Sequence, residues 1–438
     1  MGVVKLKDIC DFEKGATGLA KAVPGEYSLV TTGAERRTCQ SFQFETKAVC
    51  IPLVSSTGHG HASLKNVHYQ EGKFALGSIL VALTAKDSNE LNIQFLHLYL
   101  SQLKDIILVP LMSGAANVAL SVTKIKNIEI PLPSIERQTE IVTQFQSIML
   151  EDSELKTELT HQQTLLKKLR QQILQEAIEG KLTKDWRADN PDMEPASELL
   201  KRIQAEKAQL IQDKKIKKQK PLPPISEDEK PFALPDGWAW CRLGEASYGF
   251  QYGTSSKSLE KGYVPVLRMG NIQNGKIIWD GLVYSSDVED IEKFNLVEGD
   301  LLFNRTNSRE LVGKTGLYKG DKKSIYAGYL VRFHTASEID ANYTNFVMNS
   351  PLHNEWCNEV KTDAIGQSNI NATKLSNFRF PLSPLPEQKA IVAKVEKLLA
   401  LCDQLESQIT SNQSHANALM QAVLKEAFLS DRQVDRRH

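Results

Sequence analysis

The densest group of side chains equipped for recognition chemistry is Asn304-Arg305-Thr306-Asn307-Ser308-Arg309, directly after the apolar run Leu301-Leu302-Phe303. A guanidinium pairs bidentately with guanine, a carboxamide pairs with adenine, and hydroxyls reach base edges or phosphate oxygens. From Leu301 to Arg332 there are seven Lys/Arg, Lys314 among them, against two Asp/Glu, an excess suited to a phosphate backbone. A second amide-rich stretch, Gly366-Gln367-Ser368-Asn369-Ile370-Asn371, precedes Lys374. Asn304, Arg305, Thr306, Asn307, Arg309, Lys314, Gln367, Asn369, Asn371 and Lys374 are therefore the DNA-contact candidates. Taken alone, Asn/Ser loops serve equally well to satisfy turns.

Other chemistries find little support. Val312-Gly313-Lys314-Thr315 resembles the end of a phosphate-binding loop, but Ser308 stands where the motif needs glycine, and Gly316-Leu317-Tyr318 reads as turn and strand rather than helix. His59, His61 and His68 lie in a Gly/Ser-rich stretch without a carboxylate or cysteine at ligand spacing, so no metal site is expected. G-x-S-x-G, H-E-x-x-H and G-x-G-x-x-G patterns are missing, as is the N-P-P-Y type tetrapeptide of AdoMet-dependent base methylation. No catalytic residue is assigned.

The elements around these residues form a repeat. Shifted by 250 positions, Thr123-Lys124-Ile125 falls on Thr373-Lys374-Leu375, Pro131-Leu132 on Pro381-Leu382, Gln138 on Gln388, and Glu176-Ala177 on Glu426-Ala427. Ungapped self-similarity of this length implies two equivalent halves. Each copy carries a heptad pattern: Ile141, Phe145, Ile148, Leu155, Leu159, Leu166, Leu169, Ile173, and then Ile391, Val395, Leu398, Cys402, Leu405, Ile409, Ala416, Leu419, Val423. About five heptads make a coiled-coil helix, here roughly 65–70 Å long. Prolines 131, 133, 381, 384 and 386 mark the helix starts. In an antiparallel pair, the polar seam residues Asp152 and Gln162 would face Asn412 and Cys402 and set the register.

The chain of 438 residues has room for two or three domains, and its 41% apolar and 24% charged content is ordinary for soluble protein. Net charge is zero, so affinity for nucleic acid must come from local patches. Six scattered cysteines suggest free thiols in a reducing compartment, and neither a signal sequence nor an eighteen-residue apolar run is seen. A cytoplasmic, non-membrane protein is expected. Residues 1–130 read as a strand-rich domain with a helix near Ile93–Gln102. The first long helix occupies 131–182, with Gly180 as its cap. A connector, 183–235, holds a basic helix (Ala196–Lys220) and a proline-rich linker (Pro221–Pro235). That basic helix suits packing on its neighbour or docking of another subunit or phosphate. Residues 236–380 form a second domain, 381–430 the second long helix, and 431–438 a tail. The fold class is α+β: two similar mixed domains separated by two long helices in an antiparallel coiled coil with pseudo-two-fold repeat.

Within the domains, Lys293-Phe294-Asn295-Leu296 echoes Lys73-Phe74-Ala75-Leu76, and Gly299-Asp300-Leu301-Leu302 echoes Gly77-Ser78-Ile79-Leu80. On that alignment Leu83-Thr84-Ala85-Lys86-Asp87-Ser88-Asn89 takes the place of the Arg-Thr-Asn cluster. Thr84, Lys86, Asn117 and Lys124 become the first domain's DNA candidates. Elsewhere the two domains differ almost completely, as one scaffold fitted with two reading surfaces would.

End to end, the chain resembles the specificity subunit of type I restriction–modification systems. The resemblance rests on Leu234-Pro235-Asp236-Gly237-Trp238, Gly299-Asp300-Leu301-Leu302-Phe303 with Arg305-Thr306, Val312-Gly313-Lys314, and Gln367-Ser368-Asn369-Ile370-Asn371 before Phe380-Pro381-Leu382-Ser383-Pro384-Leu385-Pro386-Glu387-Gln388. The first half departs from it, beginning without the Leu-Pro-x-Gly-Trp lead and carrying Ile135-Glu136-Arg137-Gln138. The resemblance implies a non-catalytic chain that reads a bipartite duplex target, one domain per half, with the helices setting the spacer. It implies modification subunits, two in number, and a restriction subunit as partners, which would hold AdoMet, ATP and Mg; the chain itself would need no cofactor. The long helices and the basic 196–220 segment would dock the methyltransferase. A protein–protein scaffold and a DNA-modifying enzyme with unrecognised motifs remain as alternatives.

Overall fold

The computed structural model describes residues 2–57, 60–115 and 118–429, with backbone only at 420, 421 and 423–429. Residues 161–409 form one compact unit, and residues 1–160 group with the chain from 410 onward as the other. The two long helices, Ile135–Ile178 and Leu385–Leu429, each contribute to both.

Both domains are built on one plan. In the first, strand Cys10–Lys14 pairs with Leu80–Ala85, which pairs with Ala48–Pro52, which pairs with His68–Gln70, all antiparallel. In the second, Ser247–Tyr252, Leu330–Thr335, Asp300–Asn304 and Thr315–Leu317 follow in the same order and sense. A parallel pair lies beside each sheet, Tyr27–Val30 with Lys73–Leu76 and Val264–Leu267 with Ile325–Tyr326. Among the inner strands, Ala48–Pro52 and Asp300–Asn304 are buried along their entire length, the latter including Asp300 and Asn304. Each domain is closed by the strand leading into its long helix: Gly2–Lys5 pairs with Glu129–Leu132, and Ala239–Arg242 with Arg379–Leu382.

This pairing corrects the equivalence read from sequence. The Gly77 N–H donates to Val30 O at 2.9 Å, and the Ala327 N–H to Leu267 O at 2.9 Å. Lys73–Leu76 therefore matches Ile325–Tyr326, not Lys293–Leu296. Leu80–Ala85 matches Leu330–Thr335, and the true counterpart of Asp300–Asn304 is Ala48–Pro52. Gly77-Ser78-Ile79-Leu80 and Gly299-Asp300-Leu301-Leu302 both lead from a turn into a buried strand, so local similarity pointed to the wrong neighbour.

The lead-in to each helix is fixed by a buried glutamine. The Asn92 N–H donates to Gln138 Oε1 at 2.8 Å, while Gln138 Nε2 donates to Pro133 O at 2.9 Å. In the second half the Asp340 N–H donates to Gln388 Oε1 at 2.8 Å, and Gln388 Nε2 to Ser383 O at 2.8 Å. Asn92 and Asp340 are themselves N-caps, of helices Ile93–Gln102 and Ala341–Val347. One side chain thus ties the start of the long helix to the cap of its domain's own helix.

Within 161–409 the long helices run antiparallel. Lys394 Nζ donates to Leu182 O near one end, and Arg170 meets Asp403 at 2.6 Å and Glu406 at 2.9 Å farther along. Leu159, Leu166 and Ile173 are buried at heptad spacing, as are Val395, Cys402 and Ile409. The register differs from the sequence expectation. With Arg170 opposite 403–406, Cys402 comes level with Ile173, about three turns from Gln162. Asp152 and Gln162 are half-buried as seam residues should be, but Asn412 is exposed and Gln413 takes the inner position. Leu155, Leu169, Leu405 and Leu419, assigned to the seam, are exposed. Val423 belongs to the stretch with backbone only, and the tail 431–438 lies outside the described residues.

The first helix ends where Gly180 adopts φ 69°, donating to Ala177 O, while the Lys181 N–H reaches Glu176 O. The basic helix spans Ala196–Gln212, shorter than expected, and Lys214 at φ 58° stops it. Its Leu199 and Ile203 are buried, and Glu206 accepts from the Tyr248 hydroxyl of the second domain at 2.7 Å. Arg202 binds Glu338 and Glu194, and Lys207 donates to Gly244 O. Burial pulls the Lys207 amine down to about 8. The proline linker is fastened rather than loose: the buried Arg242 guanidinium holds Pro223 O, Pro224 O and the Glu229 carboxylate. Among the described residues all six cysteines are free and buried, and no helix is long and apolar enough to cross a membrane.

Candidate nucleic-acid interface

Strand Asp300–Asn304 delivers the chain from the core to the surface, and there the two amide-rich stretches meet. Thr306–Asn307 pairs antiparallel with Gln367–Asn369, which pairs with Thr362–Ala364. The Ile370 N–H donates to Arg305 O at 2.9 Å, and Asn369 Nδ2 to Thr306 Oγ1 at 2.7 Å. Two polar segments some sixty residues apart thus form one small sheet.

The ten residues assigned to this domain divide by what they do. Asn304 is fully buried; its backbone spans to Gly313 and Lys314, and its amide to Leu311 O at 3.4 Å. It shapes the loop and presents nothing outward, a correction to its assignment as a contact. Lys374 is also spent on structure, its Nζ on Val360 O and Thr362 Oγ1, and Asn371 caps helix Ala372–Ser376. Arg305, Thr306, Asn307 and Asn369 are half-buried on the small sheet, while Gln367 and Arg309 are exposed. Arg309 has 71% of its side chain in solvent, with Asp363 3.9 Å away. Lys314 reaches Gln273 Oε1 at 3.2 Å. Thr315 opens a strand, so the Gly313-Lys314-Thr315 segment lacks the helix a phosphate loop requires.

Tyr252 was not anticipated. Its ring lies under the Arg305 guanidinium at 4.7 Å, and its hydroxyl accepts the Ala372 N–H at 3.0 Å. One exposed aromatic therefore braces both polar segments. Tyr252 is the exposed end of strand Ser247–Tyr252, whose residues 248–251 are half-buried. Glu310 adds an anion beside Arg309, its carboxyl held below the usual range by its own backbone N–H and then by the Ser308 hydroxyl.

In the first domain the assigned residues do not gather. Thr84 is the penultimate residue of strand Leu80–Ala85, opposite Asp11, and Lys86 Nζ is bound to Lys7 O at 2.7 Å. Lys124 Nζ donates to Leu111 O at 2.8 Å, repeating the inward role of Lys374. Asn117 lies outside the described residues. His68 is buried in a strand with Nδ1 3.2 Å from Arg36, His61 is exposed in the loop that precedes this strand, and His59 lies outside the described residues. Among the described residues no group of His, Cys, Asp and Glu is placed to hold a metal.

Beside Gln388, a carboxylate also joins the second domain to its helix. Glu387 is wholly buried, accepting from Thr183 Oγ1 at 2.7 Å, Arg187 Nε at 3.1 Å and Trp238 Nε1 at 2.8 Å. The Leu234–Trp238 motif and the proline-rich lead-in thus meet at one point. The sequence model of the family described as type I restriction modification DNA specificity domain matches residues 1–163 and 236–412, most of the chain. The chain belongs to that family. It is 34% identical over 280 residues to the specificity subunit of the type I restriction enzyme EcoEI from Escherichia coli, covering 58% of this chain and 45% of that subunit. To the EcoAI specificity subunit of Escherichia coli it is 39% identical over 253 residues, covering 54% and 40%. The chain thus spans less than half the length of these curated relatives. The crystal structure of the HsdS subunit from Thermoanaerobacter tengcongensis aligns over 98% of this chain and 97% of that one, with TM-score 0.55 and 17% identity, a likeness of fold.

Proposed function

We propose that this chain is the DNA sequence-recognition subunit of a type I restriction–modification complex. What carries the reading is the pairing of one domain plan, repeated in the order of its four central strands, with different surface segments at the same structural position. A scaffold that binds one kind of partner twice would keep those segments alike. Each domain would read one half of a bipartite duplex target, and the antiparallel helices would fix the separation between halves. Half-sites one helical turn apart are about 34 Å from centre to centre.

The partners are duplex DNA, two modification subunits and a restriction subunit, in the cytoplasm. The reacting groups and the AdoMet, ATP and Mg they need would sit on those partners, leaving this chain non-catalytic. Arg305, Thr306, Asn307, Arg309, Lys314, Gln367 and Asn369 are the second domain's contacts to DNA. Inserting one heptad between Leu155 and Leu169 tests the spacer role. Methylation mapping in the assembled complex should show the same two half-targets with a longer gap, whereas an unchanged gap counts against it. Duplex affinity of the chain should also fall steeply and log-linearly with salt; a flat salt response would favour a protein scaffold.

A further inference from the structure

We propose that the first domain reads its half-target with the hydroxyl-rich loop after strand Ala48–Pro52, through Thr57, His61 and Lys65. The stretch around Thr84 and Lys86 is not the reader. The proposal rests on the DNA-recognition reading above and assigns the residues that serve it in the first domain.

The argument is a match of hydrogen bonds between the halves. The Arg305 N–H donates to Tyr329 O at 3.0 Å; the Leu53 N–H donates to Ile79 O at 2.9 Å. The Ile370 N–H donates to Arg305 O at 2.9 Å; the Leu120 N–H donates to Leu53 O at 2.9 Å. Thr306 pairs antiparallel with Asn369, and Val54 bridges Ala119 in the same sense. The chain leaving Leu53 therefore takes the place that Arg305-Thr306-Asn307 takes in the second domain. Thr84 and Lys86 fall instead on His334 and Ala336: the Lys86 N–H donates to Ile9 O as the Ala336 N–H does to Ala246 O.

Hydrogen bonds between residues 55–57 and 61–65 join the described parts of the loop. Ser55 Oγ donates to His61 O at 2.6 Å and accepts the Ser63 N–H at 3.2 Å. The Ser56 N–H reaches Ser63 O at 2.9 Å, and Ser56 Oγ accepts the Lys65 N–H at 2.9 Å. Thr57 Oγ1 lies 3.0 Å from Ser63 Oγ. The Thr57 hydroxyl also donates to His61 O at 3.3 Å, and residues Thr57, His61 and Lys65 are exposed. A lysine ammonium or an imidazole N–H reaches guanine acceptors, and threonine contacts a thymine methyl or a phosphate. The two domains would thus read by different chemistry, amide and guanidinium in one, hydroxyl, imidazole and ammonium in the other.

The test selects binding sequences from a random duplex pool with the full chain. Three variants are compared with wild type: Thr57→Ala/His61→Ala/Lys65→Ala, Thr84→Ala/Lys86→Ala, and Arg305→Ala/Arg309→Ala. The loop triple should lose roughly tenfold or more of its base preference in one half, keep the other half, and melt at the wild-type temperature. The arginine pair should do the reverse, and the Thr84/Lys86 pair should keep both halves. Full preference in the loop triple, or loss of a half in the Thr84/Lys86 pair, overturns the assignment while leaving wild-type selection intact. If wild type selects no sequence at all, the DNA-recognition reading fails, and the proposal with it.

Discussion

Trp238 donates its indole N–H to Glu387 at 2.8 Å, joining residues 149 positions apart in a buried contact that also holds Thr183 and Arg187. The end of the first long helix, the start of the second and the opening of the second domain converge on that carboxylate. Glu387→Ala should leave the Arg187 guanidinium without its charge partner and cost about 3 kcal/mol. Trp238→Phe, which keeps the ring and loses one bond to a charged acceptor, should cost about 1.5 kcal/mol. Urea unfolding of both variants checks the order.

Arg170, with Asp403 and Glu406, fixes the helix register, yet Asp403 is half exposed. Arg170→Ala combined with Asp403→Ala in a double-mutant cycle should give a coupling of about 0.5–1 kcal/mol. Raising the salt should shrink it, since the pair is open to solvent. A coupling near zero would mean that the buried Cys402 and Ile173 levels set the register unaided.

Tyr252 stacks its ring under the Arg305 guanidinium. Tyr252→Leu removes the stacked ring and should lower the ratio of specific to nonspecific duplex affinity roughly tenfold. Tyr252→Phe keeps the stack and loses only the bond from the Ala372 N–H, so most of that ratio should survive. Competition binding against nonspecific DNA distinguishes the two.

Two buried histidines make stability depend on pH. Burial, helped by Arg36, pulls His68 down to about 4, and burial pulls His353 down to about 3. Both are neutral in the folded chain at pH values where the unfolded chain, with histidine near 6.5, is already protonated. The unfolded state therefore binds more protons in that window. Stability falls as pH drops below 6.5, by about 3 kcal/mol per histidine at pH 4, and these groups leave it flat above 6.5. Urea midpoints from pH 7 to 4 should show the loss, and His68→Gln should flatten part of it.

The architecture was legible because an ungapped repeat at a shift of 250 positions and a heptad pattern are long signals that no single residue can mask. The antiparallel pairing followed from it. The register did not: a two-helix seam buries one face, so leucines such as Leu169 stay at its edge, and ion pairs of Arg170 choose among near-equivalent alignments. In the site, the meeting of 306–307 with 367–369 was foreshadowed by composition. That Asn304 would be buried, or Lys374 tied to Val360, depends on hydrogen bonds between distant segments and left no local trace. The strand equivalence failed for the same reason: Gly77-Ser78-Ile79-Leu80 looks like Gly299-Asp300-Leu301-Leu302, but pairing partners, not neighbours in sequence, define a strand.

Gln138 and Gln388 bind the same backbone groups, N-cap amide and lead-in carbonyl, in each half. The joint is therefore a standard coupling, indifferent to which lobe is plugged into it. A genetic crossover placed between that glutamine and the preceding proline run would deliver a working hinge along with the imported lobe. New pairings of old lobes could arise in a single exchange, with no need to re-evolve the fit.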